Sequence, residues 1–262
     1  MKHPKMMHTL EFRDVTFESG DGAVLYGRRG NSSKLESFLD FFTDVGTSSL
    51  GYAPIEQRKA LGRMLVERIP IHAPNLYLFK ERDRAAERIT SMTGMDRVFF
   101  CNSGAESVEG ALKLARKFQS DRGDKRLGVY TAQGGFHGRT YAGISAGDGP
   151  PYHTAGFGPL LPHFHHFKDI EEILPEDAGI IMLAPIMGNN DVQMYPEGWL
   201  EHLREFATQH NILLIFDEVQ TGSGRCAAPT YAQKCGVKPD IITLAKGIGM
   251  GCPVGVVLAT EE

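Results

Sequence analysis

Two short apolar runs constrain this chain more than any other feature. Ile212 to Phe216 (ILLIF) and Ile241 to Leu244 (IITL) are short for helices and too continuously apolar for strands with one wet face. They suit strands of a parallel sheet covered on both sides. Such sheets place ligands just outside the carboxyl ends of their strands. Both runs end on chemistry: the first on Asp217 and Glu218, the second on Lys246 and a glycine-rich bend. An acid and a lysine at adjacent strand ends are what a pyridine-aldehyde cofactor requires. The lysine holds the aldehyde as a Schiff base, and the acid keeps the ring nitrogen protonated so that the ring accepts electrons. The same two residues also read as an ion pair at a sheet edge with Lys246 as surface charge, and taken alone they do not separate the two readings.

The flanking residues separate them. DEVQTGSGR (217–225) and PDIITLAKGIGMG (239–251) resemble the signatures of the class III, ornithine-type aminotransferases, which use pyridoxal 5′-phosphate (PLP). The resemblance implies that Lys246 is the Schiff-base lysine, that Asp217 partners the pyridine nitrogen, and that Gln220 contacts the phenolic oxygen of the cofactor.

Two further motifs lie upstream. In CNSGAESVEGALKLARKF (101–118), Ser103 or Asn102 can cap a helix whose apolar stripe is Val108, Leu112, Ala115 and Phe118. Glu106 and Glu109 suit its positive end, and Lys113, Arg116 and Lys117 its negative end. Ser-Gly-Ala before the first turn offers unpaired backbone N–H groups to an anion, as any capped helix does. The run closely resembles the family's phosphate cup, which assigns the PLP phosphate to Ser103, Gly104 and Ala105. FHGRT (136–140) matches a second family motif after the strand expected at Leu127 to Ala132. By resemblance Phe136 stacks on the cofactor ring, His137 sits beside it, and Arg139 points toward a substrate carboxylate, a partner a guanidinium binds bidentately.

Composition excludes other classes. Of 262 residues, 42% are hydrophobic and 23% charged, ordinary globular values, and a net charge of -4 gives no reason to expect nucleic acid or a membrane surface as partner. Cys101, Cys226, Cys235 and Cys252 form no zinc or CxxC spacing and fit reduced thiols of a cytoplasmic protein. The start, MKHPKMMHTLEFRD, lacks the apolar core of a secretory leader. His163, His165 and His166 cluster without an accompanying carboxylate or cysteine pattern, so no metal is expected.

Along the chain, a hairpin is expected about Gly20-Asp21-Gly22, helices over Glu56 to Ile69, Arg82 to Met92 and Trp199 to Thr208, buried strands at Arg97 to Cys101 and Gly179 to Pro185, and an antiparallel strand at Cys252 to Leu258. KLESFLDFFTDVGTSSLGYA resembles a family segment in which a histidine is usual where Tyr52 stands. APIMGNND departs from the family's EPIQGEGG, with Ala184, Met187 and Asn189 in place of glutamate, glutamine and a second glutamate. Relatives continue past position 262 with a loop that reaches the partner's cofactor phosphate and a small lid domain, so a fragment or a shortened protein is expected.

The expected architecture is α/β: the large domain of the PLP-dependent transferase fold type I, a mostly parallel sheet of about seven strands between helices. Residues 1–52 form an amino-terminal arm and 53–262 the PLP-binding domain. The resemblance implies a homodimeric aminotransferase that moves an amino group between an acetylornithine- or ornithine-like donor and a 2-oxo acid. The alternatives are a catalytically impaired PLP-binding or dimerisation module and another class III activity, such as racemisation or 4-aminobutyrate-type transamination.

Overall fold

An antiparallel meander opens the chain: β1 (Val15–Asp21), β2 (Val24–Arg29) and β3 (Glu36–Leu39). This computed structural model describes residues 13–72, 76–189 and 191–261; residues 1–12, which include most of the stretch read for a secretory leader, and Asn190 of the APIMGNND loop lie outside them. Contacts divide the chain into two units, residues 1–73 and 74–262. In the first, the turn after β1 bridges to Tyr52, whose hydroxyl donates to Asp40 Oδ2 at 2.9 Å. Asp40 also accepts the Phe42 and Thr43 amides, and its nearness together with burial pushes the Tyr52 phenol up to about 12. A four-residue turn, α1 (Thr43–Gly46), and α2 (Ile55–Val66) complete the unit. The apolar spacing of α2 gave the helix, yet none of its residues is buried within the described chain.

In the second unit, α3 (Lys80–Thr93) leads into β4 (Arg97–Cys101), and α4 (Gly104–Asp121) into β5 (Gly128–Ala132). After the short α5 (Tyr141–Ala146) come β6 (Phe164–Phe167) and β7 (Ala178–Leu183), then a two-residue hairpin of β8 (Ile186–Met187) and β9 (Gln193–Met194). Then α6 (Trp199–Gln209) precedes β10 (Leu213–Asp217), and α7 (Tyr231–Cys235) precedes β11 (Ile241–Leu244); β12 (Gly255–Ala259) closes the sheet. The sheet order is β4-β12-β11-β10-β7-β5-β6, and only β12 runs against the others.

The two sheet faces explain the continuous apolar runs. Ile181, Leu183, Leu214, Phe216, Ile242 and Leu244 face one way, against Leu200 and Leu203 of α6. Their neighbours Ile180, Met182, Ile215, Ile241 and Val257 face the other way, against Val108, Ala111, Leu112 and Ala115 of α4 and Ala142 of α5. Burial on both sides removes the polar alternation of a half-wet strand. The strand expected as buried at Arg97 to Cys101 is instead a sheet edge: β4 has β12 on one side only, and Phe99 is 50% exposed. The basic residues expected to serve the carboxyl end of α4 do so only in part. Arg116 donates to the Leu127 carbonyl at 2.7 Å, Lys117 pairs with Asp121, and the last turn carries no basic residue.

Candidate active site

Chain direction alone sets β10 and β11 side by side and parallel, with Asp217 opposite Thr243. The carboxylate is 5% exposed and meets three donors. His137 Nδ1 lies 2.7 Å from Oδ2, while Thr243 Oγ1 and the Val219 amide donate to Oδ1 at 2.8 and 3.2 Å. A carboxylate has about four lone-pair sites, so one acceptor position is left over. The His137 ring is 1% exposed, and its other nitrogen, Nε2, has no partner among the described residues.

Three residues beyond Thr243, the chain turns sharply at Lys246, which has a φ of 48°. Left-handed backbone costs a lysine about 1 kcal/mol or more and marks a residue held for a purpose. Partial burial lowers the pKa of its ammonium; the Arg225 guanidinium adds to this, and Asp217 opposes it. The lysine thus shares an electrostatic neighbourhood with the acid.

The amino end of α4 packs against the same place. Ser103 caps the helix, its Oγ accepting the Glu106 amide at 3.1 Å, and the Glu106 carboxylate reaches back to the Asn102 amide at 2.5 Å. The amides of Gly104 and Ala105 fall in the first turn, where a helix leaves its N–H groups without internal partners. A Cβ on Gly104 would lie 2.8 Å from Val219 Cγ1 and 3.3 Å from the Ala245 methyl. Glycine therefore lets the helix end touch the residues beside Asp217 and Lys246. Gly138 does the same for the FHGRT loop: it sits at φ +106° with room for no more than hydrogen against Ala105.

The remaining residues named from the sequence have the following surroundings. Phe136 is half-buried, its ring edge-on to His153 with centroids 5.7 Å apart. Gln220 is exposed, with its carboxamide against Gly188 of the APIMGNND loop. Arg139 is exposed, and among the described residues nothing holds its guanidinium. Met187 and Asn189 line a cavity of ≈ 670 Å³ together with Phe136, His153, Tyr195 and Trp199. The clustered histidines find local partners: His165 Nε2 lies 3.2 Å from Asp177, and His166 Nδ1 lies 3.0 Å from Thr131 Oγ1.

Glu218 is a buried acid whose role the sequence did not disclose. Its side chain leaves β10 on the opposite side from Asp217 and accepts the Tyr231 and Ala232 amides at the start of α7, and the Thr221 hydroxyl at 3.2 Å. Burial pushes its carboxyl up, against the pull of those hydrogen bonds. The two adjacent acids thus divide the work: one faces the lysine, the other ties down a helix.

Known proteins resemble this chain in sequence and fold. The chain is 38% identical to the acetylornithine aminotransferase of Methanothermobacter thermautotrophicus, over 98% of its own length and 64% of that protein. It is 39% identical to that of Aquifex aeolicus, over 98% and 68%. It superposes with a TM-score of 0.87 and 26% identity on an amine transaminase from an uncultivated Pseudomonas species, solved in its PLP-bound form, covering 100% of this chain and 65% of that one. The chain therefore spans about two thirds of the length of these relatives. Residues 9–262 match the family pattern described as Aminotransferase class-III, and the chain belongs to that family.

Proposed function

We propose that this chain is the cofactor-binding part of a PLP-dependent aminotransferase that moves an amino group between an acetylornithine- or ornithine-like donor and a 2-oxo acid. One observation carries the reading: Lys246 and Asp217 stand at the ends of adjacent parallel strands, with the first turn of α4 packed between Val219 and Ala245. The residues present fit PLP. The α4 amides and the Ser103 cap offer an anion site for the phosphate, Asp217 keeps one acceptor position for a ring N–H, and Phe136 and Val219 offer faces to a flat ring. Gln220, whose carboxamide lies against Gly188, would contact the phenolic oxygen, and Arg139 would meet a donor carboxylate. When bound, PLP supplies an aldehyde for amines and a ring that takes up electrons.

The chain's own residues do the rest. Burial of Lys246 favours its neutral amine, the form able to attack a carbonyl and, once released, to take the proton from the donor's Cα at Nζ. His137, Thr243 and Val219 hold the Asp217 carboxylate by three contacts, so the acid would meet a ring nitrogen without reorganising. Leu76, Tyr77 and Leu78 form an exposed apolar run, with Leu76 86% and Leu78 89% exposed, which supports a homodimer. No helix among the described residues is long and apolar enough to cross a membrane, and with four free cysteines we place the protein in the cytoplasm.

Borohydride reduction with PLP present, followed by peptide mapping, is expected to label Lys246. A label on Lys113 or Lys238 would overturn the site. In unreduced, PLP-loaded protein, amino donors should convert the aldehyde absorbance to that of the amine form, and a 2-oxo acid should reverse it. A labelled Lys246 without that conversion would leave a binding module in place of an aminotransferase.

A further inference from the structure

The loop that follows α5 holds none of the residues assigned to the cofactor, yet it reaches back to the segment that carries Phe136 and His137. Two hydrogen bonds make the first connection. Asp148 Oδ2 accepts the Gly134 amide at 3.2 Å, and the Asp148 amide donates to the Gly135 carbonyl at 3.0 Å. Gly134 is left-handed at φ 76°, and Gly135 has no room for a side chain because His137 Nε2 and the Ala132 carbonyl occupy that space. The turn is thus tight and made of the two residues with the most freedom to unfold locally. Asp148 closes residues 134–148 into a loop pinned at its mouth. Ring contacts make the second connection: His153 meets Phe136 edge-on and is itself met edge-on by Tyr152 at 4.6 Å, so the ring that backs Phe136 is itself held by a neighbour. Such pairs fix ring orientation as well as adding contact.

We propose that Asp148 and His153 are positioning residues that hold Phe136 and His137 at a set height and tilt, and so determine how firmly and at what angle the cofactor ring is gripped. This rests on the PLP reading of the site. Neither residue touches Asp217 or Lys246; they act through the turn and the ring between them. Asp148 does so by its acceptor oxygen, which asparagine can supply equally. His153 does so by an aromatic edge, which phenylalanine can supply.

The test pairs a ligand-free readout with a loaded one, using Asp148→Ala, Asp148→Asn, His153→Ala and His153→Phe. Both residues lie on the loop outside the buried core, and the conservative variant of each separates loss of the contact from loss of the fold. Without PLP, amide hydrogen exchange across residues 134–138 is expected to quicken about fivefold in Asp148→Ala, the loss of one net hydrogen bond, and to stay at the wild-type rate in Asp148→Asn. With PLP, the dissociation constant is expected to rise about fivefold in Asp148→Ala. The induced circular dichroism of the bound ring should weaken in His153→Ala, with asparagine and phenylalanine restoring wild-type values. Unchanged exchange in Asp148→Ala, or an Asp148→Asn as loose as the alanine, would overturn the clamp. Unchanged dichroism in His153→Ala would overturn the backing role. If the wild-type protein takes up no PLP at Lys246, the site reading fails, and with it the grip on the ring; the exchange arm still decides the clamp.

Discussion

Asp217 and Glu218 are chain neighbours of one charge with opposite surroundings, and the difference sorts what was readable from what was not. A carboxylate that ends a buried strand, one strand over from a lysine that ends another, is visible in the sequence because strand ends in parallel sheets point to ligands. The task of Glu218 depends on the amides of Tyr231 and Ala232, thirteen and fourteen residues on, which no spacing rule brings to it. His137 lay between these cases: the motif suggested a place beside the cofactor, while its 2.7 Å contact with Asp217 is a fact of folding. Asp217→Asn is expected to retain some PLP but to lower turnover about 10²- to 10³-fold, the size of effect seen when a preorganised charge is removed; steady-state kinetics with a competent donor decides it. Lys246 gives a second expectation. Its ammonium binds a proton less tightly folded than unfolded, so the ligand-free protein gains stability as pH rises from the lowered value toward the ordinary 10.5. Below that window a buried ammonium costs its full penalty. Lys246→Met should therefore raise the Tm of the ligand-free protein at neutral pH, with the gain fading near pH 10.5; an equal gain at both would show that packing, not charge, is responsible.

Among the elements, α7 has five residues and no prospect of forming alone. The Thr230 cap and the Glu218 carboxylate hold its first turn. Glu218→Ala would leave buried N–H groups unpaired, each costing about 1–3 kcal/mol, so a loss of about 2–4 kcal/mol in chemical denaturation is expected while Lys246 still takes the label. A variant as stable as wild type would assign α7's anchoring elsewhere. The long α4 was legible from end to end, because cap, stripe and glycine all agree locally. Its neighbour β4 was not: RVFFC reads as buried, but its place at the sheet edge is set by β12, which pairs with it from more than 150 residues away in sequence. The periodicity of α2 likewise predicts a helix without disclosing what, if anything, covers its apolar side.

At the scale of the whole molecule, sedimentation with PLP present is expected to give a dimer at micromolar concentration; a monomer would count against a paired site and leave Leu76 to Leu78 without a role. The fold class was legible because several strands repeat one signature, whereas the sheet order depends on where each helix crosses. One consequence concerns synthesis. β12 is the last strand described, yet it is inserted between β4 and β11, so residues 255–259 bridge the strand that leads to Ser103 and the strand that leads to Lys246. A nascent chain carries every named residue of the site by Lys246, nine residues before the strand that completes the sheet around them begins. Cofactor uptake is therefore expected only once translation has passed residue 259, with the apolar edges of β4 and β11 unpaired until then, in the reach of chaperones. A ribosome-released chain ending at residue 254 should contain all the named groups and still leave PLP in solution.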